Sequence, residues 1–240
     1  YADGNQFGGI ARLVCRRGKV AADKSALRIT DADDALLLVS LFANEPAQQA
    51  LARERKRLSR LVGDYEKLLA RHVKLHQPMY DRVALDLGGG EERKLDNQSL
   101  LDHAYEGNLP AALAERMFCF GRFLLLCSAP TERPGLPPNL QGVWNGDFAP
   151  AWQSDYHHNV NIQMNYWPAL AGNLPETTGC LHDFDRSWME DYRVNARNIY
   201  GCRGIMVAHG QTTHGLAYVG PWVSWTAGAG WLSQHFYDYF

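Results

Sequence analysis

The apolar period of this chain changes once, and that change sets what it can fold into. Before Asn44 the pattern runs in short alternating stretches; from Ala47 onward it repeats at helical spacing. Ile10, Leu13 and Cys15 form one apolar stretch, Arg17-Gly18-Lys19 predicts a turn, and Val20 to Ala22 follows. Leu27 and Ile29 alternate with polar neighbours, Asp31 to Asp34 predicts a second turn, and Ala35 to Phe42 predicts a continuous buried strand. Short strands at this spacing suggest part of a β-sandwich over residues 1–46. After the break at Asn44 to Pro46, one helical face from Ala47 to about Leu75 carries Leu51, Leu58, Leu61, Val62, Tyr65, Leu68, Leu69 and Val73. This reads as a connector helix between domains. Val83, Leu85 and Leu87 predict a short strand stopped by Gly88-Gly89-Gly90. Strong helices are expected over residues 109–128 and 174–199, and a last one from near Trp222 to Phe240. The chain therefore reads as mainly α, with helices joined by long aromatic loops that would carry the site.

Composition excludes several classes of function. A formal net charge of −2 gives no footprint for nucleic acid. The basic run Arg53, Arg55, Lys56, Arg57 and Arg60 falls on a helical pattern and reads as a solvated face. No apolar run is long enough to span a bilayer. The five cysteines form no C-x-x-C pair; buried free thiols are expected, with a Cys180–Cys202 bridge as the alternative. His72 and His76 lie four apart on a helix without a third ligand nearby, so they read as structural, and neither metal nor organic cofactor is implied. The start at Tyr1 inside strand-like sequence, and the run to Phe240 without a helix stop, suggest a chain cut within its domains. No export signal is read for that reason, although export would suit an enzyme of external glycans.

Residues 136–168, LPPNLQGVWNGDFAPAWQSDYHHNVNIQMNYWP, interrupt the helical pattern. Six aromatics (Trp144, Phe148, Trp152, Tyr156, Tyr166 and Trp167) stand beside eight side-chain amides: Asn139, Gln141, Asn145, Gln153, Asn159, Asn161, Gln163 and Asn165. Aromatic faces pack on the C–H faces of sugars, and amides both donate to and accept from hydroxyl rims. Two or three amides would serve the loop's own backbone; this density favours a ligand site. Asn159 and Asn161 share a face if the stretch is extended, whereas on a helix they diverge by about 200°. Converging carboxamides can orient a water. They cannot act as its base, so a carboxylate must accompany them.

The run Leu136-Pro137-Pro138-Asn139-Leu140-Gln141-Gly142-Val143-Trp144-Asn145, with Asn159-Val160-Asn161 and Met164-Asn165-Tyr166-Trp167-Pro168, resembles glycoside hydrolase family 95. That family comprises inverting α-L-fucosidases with some α-L-galactosidases. Weaker matches are Asp81 to Gly88, Asn173 to Glu176, Val207-Ala208-His209, Trp222 and Gly228 to Leu232. The resemblance implies a β-sandwich ending in residues 1–46, a helical linker over 47–108, and a partial (α/α)6 barrel over 109–240. Twelve barrel helices need roughly 200 residues, so only part of a barrel fits. It implies that Asn159 and Asn161 help an Asp draw a proton from the attacking water, opposite a Glu acid. Both carboxylates are expected beyond residue 240, not at Asp147, Asp155 or Glu176, which read as loop ligands or caps. Trp144, Asn145, Trp152, Tyr156, His157, Trp167 and His209 are the expected substrate contacts, and a fucosylated oligosaccharide, 1,2-linked, is the expected partner. A galactosidase and a non-catalytic carbohydrate-binding domain are the alternatives. The sequence departs from the family at Gly210-Gln211-Thr212, where His-Asn-Thr is usual, and at Leu170, where an acid is common. Both departures bear on sugar preference.

Overall fold

A computed structural model describes residues 6–43, 45–131, 135–212, 214–217 and 225–240. Tyr1, Asn44 and Trp222, which figured in the sequence reading, lie outside these. The chain divides into two compact units, residues 1–75 and 76–240. Among the described residues eight α-helices and two small antiparallel sheets make it mainly α. No helix among them is long and apolar enough to cross a membrane.

The first unit is one long hairpin, not several short strands. β1 (Phe7–Ala22) pairs antiparallel with β2 (Leu27–Ala43) along their whole length. The Arg17-Gly18 signal makes a bulge, not a turn. Arg16 faces Asp34 and Arg17 faces Ala32, so Asp33 is the extra residue, and Arg17, Gly18 and Asp31 take φ of 58°, 74° and 55°. A side chain at Gly18 would lie 2.6 Å from Thr30 O, which is why a glycine stands there. The chain reverses at residues 23–26 instead, closed by Asp23 N–H to Ala26 O at 2.8 Å.

Ala35–Phe42 is not buried throughout. Ser40 and Phe42 are buried, while Leu37, Val39 and Leu41 on the opposite face are exposed. The buried face packs on α1 (Ala47–Arg60) through Ala50, Glu54 and Leu58. Ser40 Oγ–H donates to Glu54 Oε2 at 2.6 Å, and Arg12 donates to the terminal carbonyls of Leu58 and Leu61 at 2.7 and 2.8 Å. The expected single connector helix is two: Leu61 turns extended, and α2 (Tyr65–Tyr80) restarts after Asp64, whose side chain accepts from Lys67 N–H.

In the second unit no strand forms over residues 83–87. The N–H groups of Leu87 and Gly89 donate to the Glu115 carboxylate, which also holds Arg93. With its amides bound to a side chain the segment has no strand partner to recruit. Arg93 and two backbone amides hold the Glu115 pKa down to about 2. A short helix, α3 (Asn97–Tyr105), follows, capped by Asp96 accepting from Ser99 N–H at 2.8 Å. α4 (Ala111–Ser128) runs where its apolar periodicity puts it, with Pro110 at its start. Its Arg122 is 2% exposed and donates to the carbonyls of Met79, Tyr80, Val83 and Gly172 at 2.6–3.1 Å. One guanidinium thus satisfies the end of α2 and the turn after α5 (Asn161–Ala171).

α5 was not expected, since residues 136–168 read as loop. It buries Ile162, Tyr166 and Ala169, spaced at helical intervals and all fully buried, while Met164 and Trp167 are exposed. These pack with Leu125, Leu174, Leu181, Tyr192, Val207 and Leu232 into the main core. The remaining helices of that core are α6 (Gly179–Ser187), α7 (Met189–Tyr200) and α8 (Gly228–Tyr239). Each large side chain buried there is worth about 1.5–3 kcal/mol. The helix expected over 174–199 is divided: Pro175–Thr178 form a 3-10 turn, α6 and α7 are separated at Trp188, and α8 starts at Gly228, since residues 225–227 are not helical. All five cysteines are free, which rules out the Cys180–Cys202 bridge. Cys180 is buried against Tyr166 Oη–H and Thr177 O, but Cys127 and Cys202 are exposed.

Candidate active site

The structure divides the amides of residues 136–168 by what they bind. Asn139 Oδ1 accepts from Gln141 N–H and Ser154 Oγ–H, and Asn165 donates to Asn139 O. Asn145 donates to Gln141 Oε1 and accepts from Asp147 N–H at 2.6 Å. Gln163 is fully buried and donates to His158 O at 2.9 Å. Five of the eight amides therefore hold the loop together. The Oδ1 of Asn159 is buried and meets no hydrogen-bond donor among the described residues; the same holds for Gln163 Oε1, but there the amide nitrogen is anchored to His158 O, whereas Asn159 sits where the loop enters α5. A buried, unanswered acceptor costs about 1–3 kcal/mol, so it needs an explanation.

The extended geometry expected for Asn159 and Asn161 does not form. Val160 has φ −174° and ψ −34°, and Asn161 is already the first residue of α5. The strand argument for their convergence fails because α5 takes up Asn161 to bury Ile162 and Tyr166. Both side chains are half-buried, at the point where the loop enters the helix.

The aromatics divide as well. Trp144, Trp152 and Trp167 are about half exposed or more, at 54%, 67% and 47%, and Phe148 is almost wholly exposed. Tyr156 instead packs on Phe184 with ring centroids 4.4 Å apart, and burial pushes its hydroxyl pKa up to about 12. Trp167 lies 6.2 Å from Trp231, which lies 6.3 Å from Trp225, an aromatic row that sequence separation hid. Trp152, Gln153 and Ser154 take φ of 49°, 54° and 50°, three consecutive non-glycine residues in the left-handed region. Each such residue costs on the order of 1–3 kcal/mol.

Two short strands gather the histidines. β3 (Tyr156–His157) pairs with β4 (Gly210–Gln211), and His158 N–H donates to His209 O at 2.8 Å. The rings of His157 and His209 meet edge to face at 4.5 Å. Asp155 accepts from His157 Nδ1, and both side chains are about 10% exposed. Burial, and then the neighbouring His157, lower the His209 pKa. His158 points away into the core, where burial takes its pKa down to about 4.

Behind β4 lies a buried polar chain that sequence reading missed. Tyr192 Oη–H is shared between Gln211 Oε1 at 2.7 Å and Asp185 Oδ1 at 3.2 Å, while Asp185 Oδ2 finds no donor among the described residues. Burial pushes the Asp185 pKa up to about 7. Nothing in the helical pattern of residues 179–200 singled Asp185 out; only its position on the apolar side beside Leu181 and Phe184 could have. Glu176 pairs with Arg82 at 2.8 Å and lies in the first turn of the short 3-10 helix Pro175–Thr178. Among the described residues no cluster of three or more His, Cys, Asp or Glu side chains is suited to a metal ion.

The sequence profile of the glycosyl hydrolase family 95 catalytic domain matches residues 64–240. The chain belongs to this family. It is 30% identical over 260 residues to Alpha-L-fucosidase 2 of Arabidopsis thaliana, covering 99% of this chain and 30% of that protein. It is 33% identical over 184 residues to Probable alpha-fucosidase A of Aspergillus niger, covering 73% and 23% respectively. A third similarity, 33% over 150 residues, is to Probable alpha-fucosidase A of Aspergillus oryzae, covering 61% and 20%. The chain thus spans less than a third of the length of these relatives. The family 95 match takes in every residue expected at the site, from Trp144 to His209.

Proposed function

We propose that this family 95 chain is part of an enzyme that hydrolyses terminal α-L-fucosyl residues, 1,2-linked, with inversion at the anomeric carbon. The observation that carries the reading is Asn159, whose buried carbonyl oxygen meets no donor among the described residues. A water that donates to this oxygen gains a fixed direction, and inversion requires a directed water on the face opposite the leaving group. Asn161 is the second amide that holds it. His157 and His209 meet the hydroxyl rim of the sugar, while Trp144, Trp152 and Trp167, with Asn145, line its approach. Tyr156 supports this set from behind through Phe184. Neither amide takes up a proton, so a carboxylate must act as base, and the resemblance to family 95 puts both it and the acid outside residues 1–240. Residues 109–240 are read as part of an (α/α)6 barrel, residues 47–108 as its linker and residues 1–46 as the end of a β-sandwich.

The test is hydrolysis by the full-length protein. A 2′-fucosyl oligosaccharide should be cleaved, NMR should show the β-anomer of fucose first, and residues 1–240 alone should show little or no turnover. An aryl α-L-galactoside cleaved in preference to the fucoside would replace the substrate assignment. α-Fucose as the first product would end the inverting mechanism.

A further inference from the structure

We infer that Asp155 is a positioning residue: it fixes the ring and the tautomer of His157, so that Nε2 reaches the sugar as a hydrogen-bond acceptor. This rests on the reading that His157 meets the sugar.

Three observations converge on Asp155. Its carboxylate accepts from His157 Nδ1 in a site where both side chains are about 10% exposed. With the proton held on Nδ1, the neutral ring leaves a lone pair on Nε2. The backbone around Asp155 is constrained from both sides. Its carbonyl accepts from Leu140 N–H at 2.8 Å, and its own N–H donates to Trp152 O at 3.3 Å. Three left-handed residues, Trp152 to Ser154, lead directly into it. A chain holds consecutive strained residues where surrounding structure over-determines them, and here the strained turn delivers one carboxylate. The third observation is Gly210. It lies in paired strand backbone and has no positive φ, so conformation does not require glycine there. What requires it is space, because a Cβ on Gly210 would fall on Asp155 Oδ2.

A role in folding alone would not need a particular nitrogen of His157 protonated. The sugar contact does, since a hydroxyl donor needs an acceptor and meets repulsion from an N–H. Losing Asp155 frees the ring to carry its proton on Nε2, which reverses the polarity offered to the sugar. The outcome resembles that of an orienting carboxylate turned to an amide in other imidazole sites, where the wrong tautomer is populated.

The experiment uses the full-length protein labelled with 15N-histidine, with the His157 signals assigned by their loss in His157→Gln. Wild type should show Nδ1 protonated. Asp155→Asn and Gly210→Ala, which reach the carboxylate from opposite strands, should both move the proton toward Nε2. Both should raise KM for an aryl α-L-fucoside about tenfold, with a smaller change in kcat. If His157 keeps its Nδ1 proton in both variants, or changes tautomer with no effect on KM, the inference is overturned. His157→Gln with an unchanged KM would instead remove the underlying reading that His157 meets the sugar, and that result is visible whatever the tautomer signals show.

Discussion

Replacing Asp185 by Asn should stabilise the protein above neutral pH and do little at pH 4. Asp185 is 2% exposed and receives at best a share of one hydroxyl proton, from Tyr192 at 3.2 Å. That partner is better engaged with Gln211 at 2.7 Å, so desolvation wins and the carboxyl pKa rises from its ordinary 3.8 to about 7. The sign follows from proton counts. Between about pH 4 and 7 the folded carboxyl keeps a proton that the unfolded chain has released. Stability therefore falls as pH rises through this window, and levels off above it. The lost stability is about 4 kcal/mol, from about three pH units at about 1.4 kcal/mol each. Asn has nearly the same shape and carries no charge, so it removes the desolvation penalty that Asp185 meets above neutral pH. Urea unfolding of wild type and Asp185→Asn at pH 4.5, 6 and 8 gives the difference directly. Other titrating groups, including the buried His158, occur in both proteins and largely cancel in the difference. Asp185→Asn should match wild type within about 1 kcal/mol at the lowest pH and exceed it by several kcal/mol at pH 8. A gap that does not change with pH, or a variant less stable at pH 8, would refute the argument that burial dominates this carboxyl.

Asn159→Ala in the full-length protein should lower kcat about a hundredfold with KM changed little, the pattern of a group that acts on the attacking water, as steady-state kinetics would show. Arg122→Ala leaves four carbonyls without their donor and should cost about 3 kcal/mol by urea denaturation. Arg122→Lys should recover only part of this, because an ammonium cannot span the four acceptors. Gly18→Ala puts a side chain at φ +74° and 2.6 Å from Thr30 O; it should cost about 1–3 kcal/mol, and hydrogen exchange should show the loss at the bulge first.

Why the sequence revealed some elements and hid others comes down to range. α4 was legible because its period and Pro110 are local signals, and the hairpin's apolar alternation was legible for the same reason. Its turns were misplaced because Arg17-Gly18 and Asp31 carry turn chemistry that a bulge uses equally well. α5 was hidden by the amides that recommend its sequence as a site: Asn161, Gln163 and Asn165 mask the helical spacing of Ile162, Tyr166 and Ala169. For the site the same limit applies. Composition pointed to residues 136–168, but it could not tell Asn139, which holds the loop, from Asn159, whose buried oxygen meets no donor among the described residues. That distinction depends on where neighbouring donors lie in space. Asp155 shows the point most sharply. Two positions from His157 in an extended segment it reads as a loop ligand, yet the glycine that admits its carboxylate, Gly210, is 55 residues further along the chain. A pairing of only two residues per strand brings them together, and no periodicity in either segment announces it. The chemistry of this chain is thus written in local composition, but the assignment of roles within it waits on contacts between the loop after α4 and the segment after α7.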